Sequence, residues 1–460
     1  MRNFFAFLLT VLICSALQAQ PTLMARAKQI KSSMSDYPPG WSYNANIYEV
    51  NLRQYTKSGT IREFMPHLDR LSKMGVKILW FMPIQPIGVK GRKGSLGSYY
   101  SIKDYLAVNP EHGTTEEWIQ LVDKAHALGM KVILDWVANH TSNDHAWITS
   151  HPEYYTKDST GKIIPPVADW LDVADLNYDN KEMRQAMIES MKYWVRATNI
   201  DGFRCDVAEM VPTDFWPDAR RQLEMERKGL FMLAEGEKPE LHEKAFDMGY
   251  TWSLFHPMNE IAIGKKNAKA IDEALASKAS FPPNAFRMYF TNNHDENSWN
   301  GSNWEKMGEA SKAFAVLTFG LNGMPLIYSG QEADNRRRLS FFEKDSIDWK
   351  DYPLQDFYTR LLSLKNNEAA LSHGETGGTF TKIPTSNDEN IYAFKREKEK
   401  SKVVFILNLS AKKQKVKINS EEIAGNCVEV FSPQNVTFNL DSKQNISMEP
   451  WTYLVYRYNN

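Results

Sequence analysis

The sequence predicts a closed (β/α)8 barrel with a small inserted domain, followed by an antiparallel β-sandwich. Three observations predict it. From about residue 44 to 365, eight short runs rich in Val, Ile, Phe, Tyr and Met alternate with amphipathic stretches. About forty residues rich in His, Asp, Trp and Pro follow the third run, and a connection of that length is usually functional or a small subdomain. Beyond about residue 370 the pattern becomes polar–apolar alternation broken by Asn, Ser, Asp and Gly, which is the signature of antiparallel strands.

The barrel strands are expected in NIYEVNL, KILWFMP, KVILDWV, DGFRCDV, LFMLAE, MGYTWSLF, FRMYFTNN and MPLIYSG. Between them REFMPHLDRLSKMG, TEEWIQLVDKAHALG and KEMRQAMIESMKYWVRATN each finish near a Gly or Asn, as helices often do. A doubly wound open sheet is the rival. It would place a Gly-rich phosphate-binding turn after the first strand, and NLRQYTKSGT is not one. The barrel is thus expected over residues 20–140 and 179–368, with the insertion at 141–178. The sandwich is expected over 369–460, built from GTFTKI, NIYAFKRE, KVVFILNLS, QKVKIN, CVEVFS and TYLVYRY. The change of domain falls in NNEAALSHGETGG.

A chain of 460 residues with 42% hydrophobic and 24% charged residues can bury a large core. Its 55 Lys plus Arg against 56 Asp plus Glu give no electrostatic reason to expect nucleic acid or acidic lipid as partner. The 13 Trp and 20 Tyr suit stacking on sugar faces as well as core packing. Arg2, the apolar run FFAFLLTVLICSAL and a cut after Ala19 read as a secretory signal over residues 1–19. At 14 residues the run is too short to span a bilayer. The expectation is export to the periplasm or medium, with no stable membrane insertion, as a monomer. Anchoring through Cys14 is disfavoured because Ile13 is bulkier than a lipobox allows. Cys205 and Cys427 lie in different expected domains, so no bridge is expected. Neither CxxC nor HExxH occurs, so zinc has no support.

Three acids close strand-like runs, where barrel strands hand over to catalytic loops: Asp206 in DGFRCDV, Glu235 in GLFMLAEGE and Asp295 in RMYFTNNHDE. Arg204 lies two residues before Asp206, so both share the interior face. An adjacent guanidinium holds a carboxylate ionised and lowers its pKa, which suits a nucleophile; the same spacing suits a structural pair in a packed barrel. Glu235 follows the apolar LFMLA, and burial raises a carboxyl pKa, as a general acid needs. It could equally be the first residue of a loop. His294 beside Asp295 suits a grip on hydroxyls, or a structural hydrogen bond. One carboxylate as nucleophile and another as proton donor is the requirement for cleaving a glycosidic bond with retention.

Taken together and in chain order, these segments resemble the α-amylase family of glycoside hydrolases. DWVANH resembles its first signature, GFRCDV the second, the Glu of LAEG the third and NNHD the fourth. VADLN resembles the signature closing its inserted domain, and GLNGMPLIYSGQE the stretch around its eighth strand. The resemblance implies hydrolysis of α-1,4-glucans: starch, glycogen or maltooligosaccharides. It implies Asp206 as nucleophile, Glu235 as acid/base and Asp295 as the residue stabilising the transition state. Arg204 would orient Asp206, His140 and His294 would bond the sugar at the cleavage site, and Tyr100 would stack beneath it. Glu209 and Met210 stand where many starch α-amylases carry Lys-His, so this leaving-group loop is expected to contact acceptor sugars differently. Exo action, α-1,6 activity or glucanotransfer stay open as alternatives. Asn139 and Asp175 fall where calcium-dependent members place ligands. Two side chains do not make a calcium site, and members without calcium keep similar residues.

Overall fold

The computed structural model describes residues 38–276, 281–440 and 444–458. The leader expected over residues 1–19, with Cys14, lies outside the described residues. Eight parallel strands close into a barrel: β1 (Ile47–Val50), β2 (Ile78–Phe81), β3 (Lys131–Trp136), β6 (Gly202–Cys205), β7 (Phe231–Ala234), β8 (Met248–Gly249), β9 (Phe286–Tyr289) and β10 (Met324–Tyr328). Between β3 and β6 a hairpin of β4 (His140–Ser142) and β5 (Val173–Asp175) forms the heart of the insertion. All eight barrel strands fall within the runs expected of them. The sixth is shorter than MGYTWSLF suggests. Only Met248 and Gly249 pair, and the helix over Trp252–Ala262 starts three residues later.

Barrel strands are buried on both faces, as parallel strands must be. Along β1 and β2, Tyr48, Val50, Leu79 and Phe81 pack outward in the main core, while Ile47, Ile78 and Trp80 fill the barrel interior with Ile133, Leu233 and Met288. The outer layer includes α1 (His67–Met74), α2 (Thr115–Ala127), α3 (Lys181–Thr198), α4 (Phe215–Glu226), α5 (Trp252–Ala262), α6 (Ser311–Gly320) and α7 (Gln355–Asn367). Helix α2 begins in a capping box, with Thr114 and Glu117 each bonding the other's backbone N–H. Helix α3 starts on the Asn180 side chain and stops at Asn199, whose left-handed φ of 59° turns the chain into β6.

The C-terminal strands are β11 (Thr379–Lys382), β12 (Ile391–Lys398), β13 (Ser401–Asn408), β14 (Gln414–Ile418), β15 (Gly425–Glu429), β16 (Asn435–Phe438), β17 (Gln444–Met448) and β18 (Tyr453–Tyr458). Six form one sheet in the order β11-β12-β13-β18-β15-β16, and β14 pairs with β17. Alternation sorts β13 between two cores. Val404 and Ile406 face the second sheet, whereas Val403, Phe405 and Leu407 join the barrel's outer core. Gly320 closes α6 against this face, where an added Cβ would lie 2.7 Å from the Phe394 ring. Buried Arg396 bonds the carbonyls of Gly320, Ser372 and Gly378, tying sheet to barrel. Both Cys205 and Cys427 are buried free thiols. Among the described residues no helix is long and apolar enough to cross a membrane.

Candidate active site

The C-terminal mouth of the barrel is acidic. Glu49 of β1, Asp135 of β3, and Asp206, Glu235 and Asp295 just beyond β6, β7 and β9 converge there around two cations. The first cation is Arg204, fully buried within β6 and register-paired with Asp135. Its Nη1 donates to Asp135 Oδ1 at 2.9 Å and to Asp206 Oδ1 at 2.8 Å, and Nη2 lies 3.0 Å from Glu235 Oε2. Its Nε donates to the Tyr250 hydroxyl at 3.3 Å. At the start of β6 the chain must come close to β7: a Cβ on Gly202 would sit 1.8 Å from the Phe231 carbonyl oxygen. Glycine there lets β6 deliver Arg204 and Asp206 to the mouth.

The second cation is His294. Its Nδ1 faces Glu49 Oε1 at 2.5 Å, and its Nε2 lies 2.7 Å from the Tyr100 hydroxyl and 3.2 Å from Asp295 Oδ2. With a carboxylate at each ring nitrogen, both nitrogens carry protons, and Asp295 and Glu49 hold the imidazolium well above the usual histidine range against the opposing effect of burial. Asp135 Oδ2 accepts from Trp80 Nε1 at 3.2 Å and Tyr100 Oη at 3.1 Å, linking the two cationic centres.

Five carboxylates around two cations cannot all ionise cheaply in a buried mouth. Burial is the largest influence and pushes Glu235 up to about 7 and Asp206 to about 6, with Arg204 opposing both. The sequence expectation that Arg204 sets Asp206 low is therefore corrected: the guanidinium does lower it, but burial and the Asp135 charge outweigh a cation divided among three acids. Burial also opposes ionisation of Asp295, but protonated His294 more than offsets it and leaves Asp295 below its usual range. Glu235 thus holds its proton to the highest pH of these three.

Val207, directly after Asp206, has φ +37°, a strained value for a β-branched residue. This bend turns its N–H onto Glu235 Oε2 at 2.7 Å. Glu235 Oε1 and Asp206 Oδ2 are then the oxygens left for chemistry. A cleft of about 530 Å³ opens over them, lined by Tyr100, His140, Trp170 and Trp299 among others.

Of the residues expected to bind sugar, Tyr100 and His140 line this cleft. The Tyr100 ring lies near-parallel to those of His294 and Phe341, at 5.5 and 6.4 Å between ring centres. Burial drives the His140 imidazole down to about 4, keeping it neutral. His294 is not part of the cleft lining, and its nitrogens face Glu49, Tyr100 and Asp295. Glu209 too lies outside the cleft lining. Its Oε1 accepts from the backbone N–H groups of Glu237 and Lys238, and its side chain covers Gly236, so it braces the loop that carries Glu235. Met210 is exposed and outside the cleft lining.

Asn139 donates to His140 Nδ1 at 3.2 Å, and half-buried Asp175 pairs with His140 across the β4–β5 ladder. Among the described residues no cluster of three or more His, Cys, Asp or Glu could hold a metal ion. Two side-chain oxygens fall short of the six to eight that calcium takes, so the pair alone does not fit the ion. Sequence reasoning missed Glu49 and the anchoring role of Asp135. Their signal was an acid inside an otherwise apolar barrel strand.

The family described as alpha amylase, catalytic domain, matches residues 37–163 and 167–353. The chain is 27% identical to an α-amylase of Haloarcula japonica over 395 residues, 81% of this chain and 56% of that enzyme, so it spans little more than half that relative's length. It is 26% identical to an α-amylase of Dictyoglomus thermophilum over 83% of this chain and 72% of the other. Among solved structures, an α-amylase from Lactobacillus plantarum superposes with a TM-score of 0.81 at 30% identity, covering 91% of this chain and all of that one. A maltogenic α-amylase from Thermotoga neapolitana gives 0.82 at 28%, covering 91% and 99%.

Proposed function

The chain belongs to the α-amylase family of glycoside hydrolases, and from that premise we propose that it hydrolyses α-1,4-glucosidic bonds of starch, glycogen or maltooligosaccharides with retention of configuration. The observation that carries the reading is the shared guanidinium: Arg204 reaches Asp206 with one terminal nitrogen and Glu235 with the other. Such sharing favours the close carboxylate spacing of retaining enzymes over the gap that admits a water between them.

Asp206 Oδ2 attacks the anomeric carbon while Glu235 Oε1 gives its proton to the departing glycosidic oxygen. The bond to the leaving sugar breaks, and a glycosyl ester on Asp206 remains. Glu235, now a carboxylate, takes a proton from water; the hydroxide equivalent attacks the same carbon and frees Asp206. Asp295, kept ionised by His294, faces the positive charge that develops on the sugar. Tyr100 supplies the apolar face beneath the ring. Arg2 and the apolar run behind it, read as a leader over residues 1–19, support action outside the cytoplasm.

Purified protein incubated with soluble starch and maltoheptaose is expected to release reducing ends, and Glu235→Gln to slow release by about 10²–10⁴-fold. Folded protein inactive on every α-glucan would refute the proposal.

A further inference from the structure

The cleft has two unlike ends. Glu235 meets the leaving oxygen, so acceptor sugars run outward past Val207 and the Glu209 loop. Donor sugars run the other way, from Asp206 across Tyr100 and Asp295. On that side Asp295 accepts a hydrogen bond from the Trp299 side chain, and Trp299 packs on Phe341 and Phe342 at 4.9 and 5.6 Å.

The donor end is crossed by the loop that follows β2. Within it, Ser95 N–H donates to Glu343 Oε1 at 2.8 Å, the Ser95 hydroxyl bonds the other Glu343 oxygen, and Leu96 N–H donates to the Phe342 carbonyl at 3.0 Å. Gly94 lies so close to this partner loop that a Cβ would come within 2.6 Å of Phe342 Cβ. On its opposite flank the same loop grips the insertion: Lys93 Nζ donates to the Asp169 carbonyl at 3.1 Å and pairs with Asp172 at 3.2 Å. Beneath the crossing, Arg53 is buried and binds the carbonyls of Gly97, Leu96 and Phe341. Terminal guanidinium nitrogens bonded to backbone carbonyls from both loops fix their separation, because freeing either would strand buried donors. Loop, insertion and post-β10 segment therefore make a continuous collar.

We propose that this collar, residues 93–97 bridged to Phe342–Glu343 and to Asp169–Asp172, closes the donor end of the cleft. A glucan enters by its non-reducing end, and a short unit of fixed length is released at each turnover. The proposal rests on the α-glucan reading above and specifies which bond of the chain is cut.

The test compares maltoheptaose with maltoheptaose whose non-reducing glucose carries a 4,6-ethylidene block. The wild-type protein is expected to give one dominant short product from free maltoheptaose at the earliest times, and to cleave the blocked sugar at least about a hundredfold more slowly. Replacing Lys93–Leu96 by two glycines is expected to raise the blocked-to-free rate ratio at least about tenfold, with cleavage of free maltoheptaose confirming that the variant folds. Equal wild-type rates on the two sugars, or an initial ladder of products, would overturn the closed end while leaving the hydrolase reading intact. No cleavage of free maltoheptaose would instead overturn that reading.

Discussion

Strand β6 has an aspartate at each end, and the two live in opposite electrostatic worlds. Asp201, just before the strand, meets three basic partners: His126 at 2.6 Å, Lys131 at 3.1 Å and Arg227 at 2.7 Å. It also accepts from Val132 N–H at 2.8 Å. Despite burial, these partners hold its carboxyl down at about 2. Asp206, just after the strand, must share one guanidinium with Asp135 and Glu235, and burial lifts it to about 6. Five residues of one chain thus separate an acid with surplus positive charge from an acid with a deficit. Surplus makes a fixed charge that stabilises the fold; deficit makes groups that can take and give protons near neutral pH. This agrees with the barrel's division of labour between its two faces.

The largest expected effect breaks the comparison on the catalytic side. Asp206→Asn is expected to lose about 10⁴-fold in kcat on maltoheptaose while its melting temperature stays level or rises, since it relieves the crowded acids. Asp201→Asn is expected to do the reverse: kcat near wild type, but stability at pH 7 lower by about 2 kcal/mol in urea unfolding. The sign follows from a folded pKa below the unfolded one. The Asp201 contribution is complete above about pH 4 and disappears as pH falls toward about 2, so the two proteins should converge in acid.

A smaller effect sharpens the contrast. Glu235 is raised to about 7, so the folded state binds its proton more tightly than the unfolded chain does, and stability falls as pH climbs from about 4.5 to 7. Glu235→Gln removes that titration and is expected to stabilise by about 1–2 kcal/mol at pH 8 but by little at pH 4, as read by denaturant midpoints. The subtlest expectation concerns the pH profile of kcat/KM. Asp206 must be ionised and Glu235 protonated, so the profile should be a narrow bell with its maximum between about pH 6 and 7. A plateau extending past pH 9 would show that the proton donor is another group.

The fold was legible because barrel strands are short, apolar and regularly spaced, and the three acids were legible because they terminate such strands. What was hidden depended on contacts between distant segments. Glu49 in NIYEVNL gives no local hint that it faces a histidine 245 positions away. Glu209 was read from its neighbourhood to the nucleophile, but unpaired N–H groups at Glu237 and Lys238 claimed its carboxylate. The collar loop reads in sequence as an ordinary polar turn, RKGSLG; only the fold brings it to Glu343. Strand β8 was overestimated because aromatic residues after Gly249 favour strands locally, yet Thr251 and Trp252 open α5 instead.

The sorting of β13 between two cores also bears on how the protein is made. Its sheet partner β18 is synthesised some fifty residues later, with Val403 pairing Arg457 and Phe405 pairing Val455. A nascent chain that has completed the barrel still presents Phe394 and Phe405 beside α6 with a gap in the middle of their sheet. Only when β18 slots between β13 and β15 does the barrel's outer wall gain its finished cover. Strand β18 is therefore the piece that seals this sheet, and a ribosome stalled before it would leave an aromatic surface for chaperones to shield.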